Sequence, residues 1–194
     1  MNDMADIIIG VSGGQGSFSE EAARSYAAKK NIVNYTISYL VSVENVLKSL
    51  DEGTIGKGIF PIENSNGGIV LEAVQAMSKH LFNIEEIFEI DVKHYLLAYP
   101  GVKASEITKI VSHSQALRQC RMYLKRKWPE VELEEYSDTA EAAKDLSAGK
   151  LPKNAAVIAP RVCAKLYNLE ILEAGIQDLK FNFTSFIAAS KFIE

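Results

Sequence analysis

The sequence predicts an α/β protein of two lobes, and three observations carry that reading. Short apolar runs alternate with amphipathic segments along most of the 194 residues, the pattern of strands covered by helices. That rhythm stops once, over the helix-free stretch "NIEEIFEIDVKHYLLAY" at 83–99, and then resumes. The last segment, 181–193, is apolar enough to return to the first sheet. A chain of this kind crosses between lobes twice. The lobes are expected at about 1–92 with 179–194, and at about 93–178. A cleft between two such lobes is a common small-molecule site.

Each element has a local reason. "DIIIGVS" (6–12) reads as a strand from its β-branched run, and "SFSEEAARSYAAKK" (17–30) as a helix opened by a serine cap. "YTISYLV" (35–41) is a strand, and "SVENVLKSLDEG" (42–53) a helix closed by glycine. "KGIFPIENS" (57–65) is a strand entering a polar loop, with a helix over 67–80. After Pro100-Gly101 come a strand at 107–113, a helix at 114–127 and a strand at 131–136. A capped helix at 137–149, a strand at 154–159, a helix through "RVCAKLYN" and a strand "LEILEAG" complete the second lobe.

Composition excludes several function classes. Net charge is −4 and 47% of residues are hydrophobic, so there is material for a core and no broad basic field. The basic run "RMYLKRKW" (121–128) reads as a solvated helix face, and no nucleic-acid partner is expected. The amino-terminal stretch has acidic residues before a short apolar run, unlike a secretory signal. No run of about 20 apolar residues occurs, so no membrane span is expected. Cys120 and Cys163 stand far apart, and with three histidines show no paired-ligand spacing. A reduced cytoplasmic protein without a metal is the expectation.

Three stretches offer chemistry. In "VSGGQGSFSEEAA" glycines precede a helix start, but neither a dinucleotide fingerprint nor a phosphate loop is present. A turn with Ser17 or Ser19 as cap and Glu20 or Glu21 in the first turn is the favoured explanation. "FPIENSNGGIV" delivers Glu63, Asn64 and Ser65 to a loop, where neutral donors can hold a carboxylate; a plain Asn/Ser/Gly turn stays open. "IVSHSQALRQC" sets Ser112, His113, Ser114 and Gln115 at a strand-to-helix junction. Neighbours on a strand face opposite ways, so polar binding is favoured over a nucleophile–base pair. His94 reads as a half-buried histidine satisfied by backbone, and Asp138 and Thr139 as helix capping.

In this order, "GSFSEEAA", "PIENSNGG", "HYLLA", "SHSQALRQC", "SDTAEAAK", "AAVIAP…AKLYNLEIL" and "IQDLKFNFTSF" resemble prephenate dehydratase over essentially the whole chain. The resemblance implies a two-lobed, periplasmic-binding-protein-like (type II) α/β domain with the site in an inter-lobe cleft. It implies conversion of prephenate, or arogenate in some members, by loss of carbon dioxide and water, without metal or organic cofactor. Thr184 matches the family's threonine, which assists departure of the ring hydroxyl. Asn64, Ser65, Ser112 and Gln115 match the polar binding loops. Ser17, Gly67, His113, Asn182 and Phe186 lie in the same matching blocks and complete the candidate substrate-binding set.

Two departures accompany the resemblance. The family reads Thr-Arg-Phe where this chain has Thr184-Ser185-Phe186. Losing a guanidinium grip on a carboxylate is expected to cost about 1.5–3 kcal/mol of binding, unless Lys180, Arg161, Lys165, Arg118 or Lys93 compensates. On that view Ser185→Arg lowers KM. Secondly, the family commonly carries an ACT regulatory domain, and the sequence stops at Glu194; a separate regulatory chain is the corresponding expectation, and a homodimer the expected assembly. A prephenate decarboxylase and a ligand-binding module without turnover remain the competing readings.

Overall fold

A computed structural model describes residues 7–193 of the chain. The first compact unit is Met1–Asp91 with Phe183–Glu194, and the second is Val92–Asn182. In chain order the first unit supplies β1 (Ile7–Val11), α1 (Phe18–Lys29), β2 (Tyr35–Tyr39), α2 (Val43–Glu52) and β3 (Lys57–Asn64). The short β4 (Gly68–Ile69), α3 (Leu71–Met77) and the long β5 (Phe82–Asp91) follow. The second unit contains β6 (Tyr95–Ala98), β7 (Lys109–His113), α4 (Ser114–Gln119), α5 (Arg121–Lys127) and β8 (Glu132–Tyr136). It continues through α6 (Thr139–Ser147), β9 (Ala155–Ala159), α7 (Arg161–Leu166) and β10 (Glu170–Ala174). β11 (Phe183–Lys191) then returns to the first unit.

The first sheet runs β2-β1-β3-β11-β5, with β4 paired to β3. β1 is parallel to β2 and β3, while β11 is antiparallel to both β3 and β5. The apolar tail of the chain thus fills a central position, as its lack of polar alternation predicts. One face packs Val46, Leu47 and Leu50 of α2 against Phe60 and Ile187. On β5 and β11, Phe88 lies 6.1 Å from Phe186 and 5.8 Å from Tyr26 of α1. A fully buried side chain of this size contributes about 1.5–3 kcal/mol.

The second sheet runs β10-β6-β9-β7-β8. Its interior strand β9, "AAVIA", is buried at every residue, as a strand covered on both faces must be. Leu97, Val111 and Val157 meet Ala142, Ala143 and Leu146 of α6. Leu96, Ile110 and Ile158 meet Ala116, Leu124 and Ile176 in a second cluster. Among the described residues, no helix is long and apolar enough to cross a membrane.

Three elements differ from expectation. The helix expected over 67–80 begins at Leu71, because Gly68, at φ +77°, turns the chain back and pairs with Asn64. The strand expected over 35–41 stops at Tyr39, since Val41 adopts φ 69°. The helix expected over 114–127 breaks at Cys120. There Asp178 accepts the Met122 and Tyr123 N–H groups at 2.7 and 2.8 Å, and its own N–H donates to Gln119 O at 2.8 Å. A carboxylate from elsewhere thus takes the bonds that would have continued the helix. Asp6, placed in the first strand by the sequence, lies outside the described residues.

Candidate functional site

In the first unit the polar residues converge where β3 ends and β11 begins. Thr184 stands in register with Asn64, and Asn64 Nδ2 donates to Thr184 Oγ1 at 2.8 Å and to Phe183 O at 3.1 Å. Asn64 Oδ1 accepts the N–H groups of Asn66 at 3.0 Å and Gly67 at 2.8 Å. Those two backbone donors fix which end of the amide faces Thr184. Both residues are buried, Asn64 at 5% and Thr184 at 9% exposure. A hydroxyl that accepts from Asn64 keeps its own hydrogen to give, so Thr184 is set up as a donor.

Ser65 and Gly67 serve this arrangement. Ser65 N–H donates to Phe183 O at 2.8 Å, and Phe183 N–H donates to Ser65 Oγ at 3.0 Å. The loop is thereby stapled to the first residue of β11. Ser65 and Gly67 are exposed and Asn64 is not.

Ser185 points away from this group, because successive strand residues face opposite sides. It stands in register with Glu63 on β3 and Glu89 on β5, and its Oγ donates to Glu89 Oε1 at 3.3 Å. Position 185 therefore lies between two carboxylates, surroundings that invite a cation of the same chain rather than a substrate anion. Phe186, proposed as a ligand contact, is 1% exposed and stacked in the core on Phe88. Its role in the structure is packing.

The glycine loop before α1 closes on itself. Ser17 Oγ accepts the Glu20 N–H at 3.3 Å as the helix cap. Glu20 is 6% exposed; its Oε2 accepts the Gly16 N–H at 2.7 Å and its Oε1 is gripped by Arg24. A carboxylate of the chain already occupies the anion position at this helix start. Ser17 is thus engaged in capping.

In the second unit, the strand-to-helix junction separates Ser112 from His113. Ser112 is fully buried and donates to Ile158 O at 2.6 Å, which ties β7 to β9 and commits its only hydrogen. His113 caps α4, its Nδ1 accepting the Gln115 N–H at 3.2 Å. In the neutral ring this leaves the proton on Nε2. No serine–histidine pair forms at this junction, and the Gln115 side chain is half-buried.

The buried polar centre of this unit includes a residue the sequence reading did not single out. Gln119 Oε1 accepts from Asn182 Nδ2 at 3.0 Å and lies 2.6 Å from His94 Nε2. Asn182 is fully buried, and its carbonyl accepts the Val92 N–H at 2.7 Å. His94 is 3% exposed, its ring meets this side chain, and burial holds its pKa below the ordinary histidine value. The spacing carried a signal: Gln119 follows Gln115 by four residues, one turn along the same helix face. Lys93, Arg118, Arg161, Lys165 and Lys180 are all exposed in this unit. Among the described residues no His/Cys/Asp/Glu group suited to a metal occurs.

Comparison with known proteins assigns a family. The family model for prephenate dehydratase matches residues 9–192. Arogenate dehydratase 5, chloroplastic, of Arabidopsis thaliana is 38% identical over 70% of this chain and 32% of its own length. The bifunctional chorismate mutase/prephenate dehydratase of Pseudomonas aeruginosa is 34% identical over 90% of this chain and 46% of its own. The chain spans a third to just under half the length of these curated relatives. The crystal structure of prephenate dehydratase in complex with L-Phe from Arthrobacter aurescens superposes with TM-score 0.87 and 26% identity, over 97% of this chain and 61% of that one. A periplasmic substrate-binding protein of an ABC transporter from Coxiella burnetii, 13% identical with TM-score 0.50 over 93% of this chain and 84% of its own, shares the fold alone.

Proposed function

The chain belongs to the prephenate dehydratase family, and from that premise we propose that it converts prephenate to phenylpyruvate, carbon dioxide and water in phenylalanine biosynthesis. In this reaction the ring carboxylate leaves as carbon dioxide and its bonding pair becomes ring π density. The ring hydroxyl departs from the opposite carbon and takes a proton to become water. Aromatisation drives the step, so the protein must chiefly orient the dianion and stabilise charge growing on the departing oxygen.

The observation that carries this reading is the Asn64–Thr184 pair. Thr184 accepts from Asn64 and donates to the leaving oxygen as a hydrogen-bond donor within a polarised network. Full proton transfer from an aliphatic hydroxyl is disfavoured at neutral pH, so solvent supplies the proton in net terms. Prephenate decarboxylation without loss of the hydroxyl has no use for such a donor, and the retained Thr184 speaks against it. The same reading takes the protein as a cytoplasmic homodimer.

Incubation with prephenate decides the matter. Dehydratase activity gives phenylpyruvate, a decarboxylase gives a non-aromatic keto acid, and a binding module gives heat of binding with no consumption. Arogenate, the substrate named for the Arabidopsis relative, is assayed alongside.

A further inference from the structure

Away from the Asn64–Thr184 group, the His80 ring lies against α2 in the first unit. Its Nδ1 is 2.5 Å from Asp51 Oδ2 and its Nε2 is 3.0 Å from Glu44 Oε1. Asp51 and Glu44 are seven residues apart on α2, two turns along one face. The ring is only 12% exposed. Ionised carboxylates accept hydrogen bonds and cannot donate them. A neutral imidazole has one N–H, so it would satisfy one carboxylate and turn a lone pair on the other. Only imidazolium satisfies both.

We propose that His80 is a proton-operated staple that fastens the end of α3 to α2. His80 follows α3 by three residues, and α3 packs Ala73 and Ala76 into the core shared with α2. A second tie between these helices is Glu72 of α3, which accepts the Val43 N–H at 2.9 Å. Other charged groups belong to the same elements. Lys79 shares Glu44, its Nζ 3.1 Å from Oε2. Lys48 and Glu52 pair with each other along α2 at 3.8 Å. Lys79 opposes a second cation at Glu44, but the two carboxylates touch the ring directly and prevail.

The pKa of His80 is raised, first by its bond to Asp51 and then by that to Glu44, with burial acting in the opposite sense. A base whose folded-state pKa is raised adds stability below its unfolded value and loses it as pH rises through the folded value. Each unit of that rise makes the proton about tenfold more favoured in the folded than in the unfolded chain. Alkaline conditions therefore release one carboxylate and loosen α3 from its C-terminal end. The inference is independent of the catalytic reading.

The test is an NMR titration of the full chain between about pH 5 and pH 9, following the histidine rings and backbone amides. The proposal expects the His80 ring to titrate with a midpoint above the histidine reference of about 6.5. It also expects the Ala73 and Ala76 amide signals to move with the same midpoint. In parallel, the Tm advantage of the unaltered protein over His80→Gln should shrink by at least half across the alkaline limb. A midpoint at or below the reference, unmoved α3 amides, or a constant Tm gap would each overturn it. Should His80→Gln not fold, the titration of the unaltered protein decides alone.

Discussion

Ser185 Oγ donates to Glu89 Oε1 at 3.3 Å, and Glu63 stands in register with Ser185 on the other side. A cation at this position meets two carboxylates of its own strand neighbours before any ligand. The view that serine here forfeits a grip on substrate therefore gives way to another. Ser185→Arg is expected to pair with Glu63 and Glu89, each exposed pair adding about 0.2–1 kcal/mol. That raises Tm by about 1–8 °C, while KM for prephenate stays within about twofold. Thermal melts and steady-state kinetics check both, and a tenfold fall in KM would restore the substrate-grip account.

Thr184→Ala removes the hydroxyl that the proposed reaction uses as donor to the departing oxygen. Loss of one preorganised donor costs about 10²–10³ in kcat. KM should stay within a few-fold, since the donor acts on charge that develops in the transition state. Thr184→Ser keeps the hydroxyl and recovers much of the rate. Wild-type kcat in Thr184→Ala would refute the assignment.

Asn64→Asp separates the two roles of that side chain. A carboxylate still accepts the Asn66 and Gly67 N–H groups, so the turn keeps its ties, but it cannot donate to Thr184 Oγ1 or to Phe183 O. Instead Thr184 would donate to the introduced carboxylate, and its hydrogen would be lost to the reaction. The expected result is a kcat lower by about 10²-fold with a Tm lower by about 2–12 °C, because the lost bond to Phe183 O costs about 1–3 kcal/mol. A collapse of Tm with kcat spared would mean that Asn64 is structural only.

How far the sequence could be read depended on the range of the interactions. Alternating apolar runs and caps are local, so the capping roles of Ser17, Ser42, Gly53 and Asp138 follow from their own neighbourhoods. The helix break at Cys120 was not legible, because Asp178 makes it from 56 residues beyond Met122. Asn64 and Thr184 stand out as candidates in the sequence, but their direct bond spans 120 residues and depends on β11 lying antiparallel to β3. The register also decides that Ser185 faces Glu63 and Glu89, which a motif comparison cannot reveal. Ser112 and Phe186 match the motif blocks yet are enclosed by the sheets that carry them.

His94 has the opposite pH sign to His80, and that difference is measurable. Burial lowers its pKa, so on acidification the unfolded chain binds this proton first. The stabilisation is complete above the unfolded value of about 6.5 and is lost as pH falls toward the lower folded value. Gln119 Oε1 faces both His94 Nε2 and Asn182 Nδ2, so substitution there separates charge from hydrogen bonding. Gln119→Ala takes this acceptor away from two buried side chains, at about 1–3 kcal/mol each, and should lower Tm at every pH. Gln119→Glu keeps an acceptor for both and adds a negative charge that favours imidazolium. It should therefore flatten the acid limb of the Tm profile even where it lowers Tm near neutrality. Calorimetry across the acid range compares the three proteins; an acid limb of unchanged slope in Gln119→Glu would remove His94 as its source.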